Sequence, residues 1–224
     1  MTFKIKSRKK IAIKICGLTQ PSQAKAIAEM RVNAIGVIGV RSSERFVSAS
    51  QRERIFTELK PYEKNIERVL VVSDQTDSEF DAALQNEICP TVFQLHGNES
   101  QERCAYLREK YPTIKWWKAL RIKEEKDLAQ IYNFEDIVDA ILIDAWSSKN
   151  LGGTGKRIPL SWIKQIKIKA PWWIAGGISQ DWIPKILENT KPYGIDASSR
   201  LETSPGIKDL EKVNLLIRKI REIS

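Results

Sequence analysis

Short runs of β-branched and other apolar residues alternate along the chain with longer stretches in which apolar positions recur every three or four residues. The short runs read as strands at residues 11–15, 34–40, 67–73, 91–95, 114–120, 140–144, 172–175 and 193–196. The longer stretches read as helices. The first follows Thr19, a predicted N-cap, tolerates Pro21 in its first turn, and carries Ala24, Ile27, Ala28 and Val32 at helical spacing. The others cover residues 49–59, 78–88, 100–110, 124–132, 160–166, 181–188 and 209–220. Eight successive strand–helix units predict parallel pairing through right-handed crossovers. The predicted architecture is an α/β, single-domain (β/α)8 TIM barrel over residues 11–224, preceded by a basic tail at residues 1–10. An open doubly wound sheet would place G-x-G-x-x-G after its first strand, whereas the turn here reads Cys16-Gly17-Leu18-Thr19.

Composition narrows the chemistry. The chain has 224 residues, 42% of them apolar, enough for a large core. Thirty-seven Lys and Arg against 28 Asp and Glu leave a net charge of +9, which suits an anionic partner. The positive charge is spread and no nucleic-acid-binding motif is present, so a small phosphorylated anion is expected rather than nucleic acid. Cys16, Cys89 and Cys104 form no C-x-x-C pair, and a single histidine excludes His-rich metal chemistry. No apolar run approaches the roughly 20 residues of a membrane span, and Lys14 interrupts the apolar run after the basic N-terminus. A cytoplasmic protein without membrane contact is expected.

In such barrels chemistry sits where strands end and βα loops begin. The polar residues there are Cys16, Arg45, Gln94, His96, Asp144 and Asp196, with Gly176, Gly177, Ser198 and Ser199 behind the last two strands. Period-two alternation places Lys14 and Cys16 on one face of strand one and Ile11, Ile13 and Ile15 on the other. The isoleucines suit the helices, so Lys14 and Cys16 should point inward, Lys14 beside Asp196. Lys14 reads either as a Schiff-base nucleophile or as half of an ion pair. A lone cysteine is by frequency a small buried hydrophobe, and position alone marks Cys16 out. The two glycine- and serine-rich turns after strands seven and eight stand where barrels commonly bind phosphate. A further run, Gly152-Gly153-Thr154-Gly155-Lys156, lacks Walker spacing and reads as a lid or loop anchor.

Taken together, Lys14-Ile15-Cys16-Gly17-Leu18-Thr19, Ser43-Glu44-Arg45-Phe46-Val47-Ser48, Gln94-Leu95-His96-Gly97, Ile143-Asp144, Gly152 to Lys156, Gly176-Gly177 and Asp196-Ala197-Ser198-Ser199 resemble the phosphoribosylanthranilate isomerases of tryptophan biosynthesis, in order and over nearly the whole chain. The resemblance implies an Amadori rearrangement of N-(5-phosphoribosyl)anthranilate without cofactor or metal. It implies Cys16 as general base and Asp144 as general acid. A base must be a thiolate, so a cation near Cys16 is expected to lower its pKa. The resemblance also implies Arg45 at the anthranilate end, Asp196 as a functional carboxylate, Gln94 and His96 as pocket-lining groups, and phosphate against Gly176, Gly177, Ser198 and Ser199. Gly153 joins the substrate-facing residues, and a monomer or homodimer is expected. Arg200 stands where the family usually has glycine, and Gly39 and Val40 replace bulkier residues at the end of strand two.

Overall fold

A computed structural model describes residues 10–145 and 157–224; residues 1–9 of the basic tail and residues 146–156, Gly153 among them, lie outside the described residues. All eight predicted strands form: β1 (Ala12–Cys16), β2 (Ala34–Ile38), β3 (Glu67–Val72), β4 (Val92–Leu95), β5 (Lys115–Ile122), β6 (Ala140–Ala145), β7 (Trp172–Ile174) and β8 (Gly194–Ala197). Each pairs in parallel with the next, and β8 returns to β1 with Lys14 opposite Asp196, closing the barrel. The helices between them are α1 (Pro21–Glu29), α2 (Ala49–Thr57), α3 (Asp77–Leu84), α4 (Gln101–Lys110), α5 (Ile131–Phe134), α6 (Leu160–Lys164), α7 (Ile183–Asn189) and α8 (Leu210–Ile223). No described helix is long and apolar enough to cross a membrane.

The alternation that defines the strands also divides the core in two. Outward side chains such as Ile13, Ile15, Ile35, Val37, Phe93 and Ile143 pack against Ala24, Ile27, Phe56 and Leu107 of the helices. Inward ones, including Ala12, Val69, Val92, Trp117, Leu142 and Trp173, fill the barrel itself. Each fully buried aliphatic side chain contributes about 1.5–3 kcal/mol. Trp117 and Trp173 stack in the interior with ring centroids 4.9 Å apart. Gly194 makes room for them, because a Cβ there would lie 2.4 Å from ring carbons of Trp173.

Several local expectations are corrected. Gln20, not Thr19, is the N-cap of α1; the Thr19 hydroxyl instead donates to the Gly206 carbonyl at 2.8 Å. The helix expected over 124–132 is a 3-10 segment, Glu125–Gln130, followed by the single turn of α5. Asp127 tightens its start by accepting from the backbone N–H of Lys123 and Glu124. Strand two stops at Ile38, short of Gly39 and Val40. A hairpin that periodicity did not reveal, β9 (Glu202–Ser204) with β10 (Ile207–Lys208), follows β8 and precedes α8. Its strands are too short for any alternation to show.

Gly194→Ala is expected to force the Trp173 ring aside and cost about 1–3 kcal/mol, as overpacked cores do. Urea unfolding checks it: the midpoint should fall while the slope holds.

Candidate active site

Lys14 comes from the inward face of β1 and is fully buried. Its ammonium donates to Asp196 Oδ2 at 2.8 Å and to Gln94 Oε1 at 2.9 Å. Burial works against the charge, but Asp196 and Cys16 more than offset it and hold the Lys14 pKa above its ordinary value. A lysine kept as ammonium is no nucleophile, so the ion-pair reading prevails over the Schiff base. Two residues further along β1, Cys16 lies against Gly36 of β2, where a Cβ would sit 2.7 Å from its Sγ. Gly36 therefore gives the thiol its place, a role that composition and spacing did not single out. The expected lowering of the thiol pKa meets a stronger opposing effect. Burial pushes the Cys16 thiol up, Lys14 pulls it part of the way back, and Asp196 adds to the upward push. Asp196 itself is pushed up by burial, against the pull of Lys14.

Gln94 and His96 project inward from β4 and its end, and Asp144 from β6. Gln94 Nε2 lies 3.2 Å from His96 Nδ1, and His96 Nε2 lies 3.4 Å from Asp144 Oδ2. His96 Nε2 and Asp196 Oδ1 are buried without a hydrogen-bond partner among the described residues. Buried polar atoms of this kind call for an explanation, and a ligand's hydroxyl or ring oxygen supplies one.

Behind β7, Gly176 and Gly177 both take positive φ, 84° and 62°, a left-handed turn that a side chain would strain. Behind β8, Ser198 and Ser199 enter a short 3-10 turn, Ser199–Leu201, and the Ser198 hydroxyl donates to the Cys16 carbonyl at 3.0 Å. Arg45 is already engaged: its Nε and Nη2 grip Glu202 at 2.7–3.1 Å. Lys208, also buried, donates to Glu202 Oε1 at 2.6 Å. Burial opposes the charge on Glu202, yet Arg45 and Lys208 outweigh it and hold the carboxyl below its ordinary range. Glu202 and Lys208 escaped sequence reasoning because the hairpin that carries them did.

One pocket at the C-terminal mouth gathers these groups. Cys16, Arg45, Gln94, His96, Asp144 and Asp196 line it, and Gly176, Gly177, Ser198 and Ser199 form its far wall. Ile38, Val71 and Ile178 give it apolar surface, and the exposed Arg200 stands at its edge. Gly153 falls outside the described residues.

Titratable side chains at strand ends, opening into one pocket with glycine turns behind the last two strands, are the layout of a (β/α)8-barrel enzyme. The sequence matches the family model described as N-(5'phosphoribosyl)anthranilate (PRA) isomerase over residues 13–219, and the chain belongs to that family. It is 40% identical over 210 residues to the N-(5'-phosphoribosyl)anthranilate isomerase of Synechococcus elongatus, covering 94% of this chain and 96% of that one. It is 41% identical to that of Thermosynechococcus vestitus, covering 94% and 90%. The crystal structure of phosphoribosyl anthranilate isomerase from Thermotoga maritima superposes with a TM-score of 0.84 at 26% identity, covering 95% of this chain and 99% of the other.

Because Lys14 is the main influence favouring the thiolate, Lys14→Met should move the pH dependence of Cys16 alkylation to higher pH. The same change strands Asp196 and should cost about 3–5 kcal/mol of stability. An unmoved alkylation profile in the folded variant would confine Lys14 to a structural role.

Proposed function

We propose that this chain converts N-(5'-phosphoribosyl)anthranilate to 1-(2-carboxyphenylamino)-1-deoxyribulose 5-phosphate, an Amadori rearrangement in L-tryptophan biosynthesis, working in the cytoplasm as a monomer or homodimer on this one small anion and not on nucleic acid. The observation that carries the reading is the placement of the Cys16 thiol and the Asp144 carboxyl on one pocket that also holds the glycine–serine cradle. Family membership agrees with it.

The chemistry follows from two proton transfers. Asp144 gives its proton to the ribose ring oxygen as the C1–O bond breaks, and the anthranilate nitrogen closes a C=N bond to C1. Cys16, as thiolate, removes the proton on C2, and the electron pair forms an enolamine. Loss of the C2 hydroxyl proton and protonation at C1 then give the ketone. Nothing is oxidised or reduced overall. Because burial favours the neutral thiol, the base has to be generated before each turnover, and Lys14 is the cation that favours it. Phosphate lies against Gly176, Gly177, Ser198 and Ser199, where glycine lets the backbone approach an anion. Arg45 faces the anthranilate end with the part of its guanidinium that Glu202 leaves over. Asp196 Oδ1, which has no partner among the described residues, suits a ribose hydroxyl.

Loss of substrate fluorescence tests the reading directly. The wild-type protein should turn freshly made phosphoribosylanthranilate over, and Cys16→Ala should lower the rate by about 10²–10⁴, the usual worth of a general base. Asp144→Asn, unable to donate, should fall by a similar factor while still binding a reduced product analogue. Near-normal turnover by either variant removes that residue from the mechanism, and an inactive wild-type protein removes the function.

A further inference from the structure

The side chains from Lys14 to Asp144 form a row whose donors and acceptors have only one consistent order. An ammonium can only donate. The atom of Gln94 that faces Lys14 Nζ at 2.9 Å must therefore be the amide oxygen, and the amide nitrogen must face His96. That nitrogen only donates, so His96 Nδ1, 3.2 Å away, must accept and can carry no proton. A neutral imidazole then keeps its single proton on Nε2, the atom 3.4 Å from Asp144 Oδ2. Lys14, Gln94, His96 and Asp144 are each more than nine-tenths buried, so the neighbours within the row decide how each side chain is turned. Lys14 is held in turn by Asp196, which fixes the first member of the row.

We propose that Gln94 is a positioning residue: it locks His96 in the Nε2–H tautomer, so that His96 meets Asp144 with a donor and never with a base. The proposal rests on the reading of Asp144 as the general acid. In the other tautomer, Nε2 would aim a lone pair at the carboxyl from 3.4 Å. A bare Nε2 there would be an acceptor within reach of the acid's proton, in competition with the ribose ring oxygen. With a proton already on Nε2, that route is closed. Nε2 makes no hydrogen bond to Asp144 among the described residues, so its proton faces the pocket beside Oδ2, and the ribose ring oxygen has no competitor for the acid proton within the row. Lys14 thus acts on both halves of the reaction. It favours the thiolate of Cys16 directly, and through Gln94 it keeps the acid from being neutralised.

His96 is the chain's single histidine, so its ring nitrogens can be read without assignment. The experiment is 15N NMR of the imidazole in the full-length, substrate-free protein at mildly alkaline pH. A protonated Nε2 and a bare Nδ1 are expected. Gln94→Glu presents Nδ1 with nothing but acceptor oxygens and should move the proton to Nδ1 or leave the ring doubly protonated. Its kcat should fall about a hundredfold, within the usual worth of a general acid, with KM changed by no more than about threefold. Gln94→Met, which removes the donor at similar length, should give averaged nitrogen shifts and an intermediate kcat. A wild-type Nδ1–H tautomer overturns the proposal, as does an Nε2–H signal that persists in both variants or a kcat that neither lowers. If Gln94→Glu fails to fold, the wild-type spectrum and Gln94→Met decide. Absence of turnover by the wild-type protein sinks the isomerase reading, whereas the nitrogen shifts, taken without substrate, judge the tautomer lock by themselves.

Discussion

A lysine ammonium buried inside a closed barrel is the constraint around which the site is arranged. Lys14 has no access to solvent, and an unpaired charge there would cost several kcal/mol or lose its proton. Each neighbour can be understood as an answer to that problem. Asp196 supplies the counter-charge from the adjacent strand, in direct register. Gln94 supplies a neutral acceptor from across the barrel. Cys16, on the same face of the same strand, inherits the positive field. Satisfying one cation therefore orients the carboxylate, the amide and the thiol that line the pocket.

Two glycines make this affordable in space. Gly36 clears the wall beside Cys16 and Lys14, where a Cβ would come within 2.7 Å of one and 3.2 Å of the other. Gly194 clears the wall beside Trp173, at the opposite end of the interior. The barrel is consequently divided along its length. Stacked Trp117 and Trp173 occupy the end where the strands begin, and polar side chains occupy the end where they finish. Dry packing at the first end keeps water from reaching Lys14 from below, which preserves the strength of its interactions above.

The strands were legible because a barrel strand carries its information in alternation. A lysine among isoleucines, at the parity opposite to theirs, is a strong local signal, and it located the centre of the site. The inward placement of Cys16 and Asp144 was legible for the same reason, since Cys16 ends β1 and Asp144 stands one residue short of the end of β6, both on the inward parity. What escaped the sequence depended on contacts that no local pattern encodes. Thr19 has the right chemistry for a helix cap, but its hydroxyl found a better acceptor in Gly206, brought near by the hairpin. The partner of Arg45 lies 157 residues away in sequence. The direction of the Cys16 pKa turned on how completely it is buried, and alternation says which way a side chain points without saying how dry its surroundings are.

The hairpin after β8 does more than close a loop. Glu202 holds Arg45 from the β2 loop, and Lys208 holds Glu202. Lys208 also lies 3.4 Å from the carbonyl and hydroxyl of Ser198, whose hydroxyl is bonded to the Cys16 carbonyl. Arg45 itself passes close over Gly17, where a Cβ would stand 2.8 Å from its Cδ. The loops that follow β1, β2 and β8 are thereby tied into one piece. That matters for the proposed substrate, which has an anion at each end. If the arginine and the serine turn were free to move independently, binding both anions would still leave the sugar between them poorly placed. With Glu202 and Lys208 between them, the distance from Arg45 to the serine turn is set before any ligand arrives. Proton transfer from a fixed acid and to a fixed base gains most when the reacting atoms are already in place.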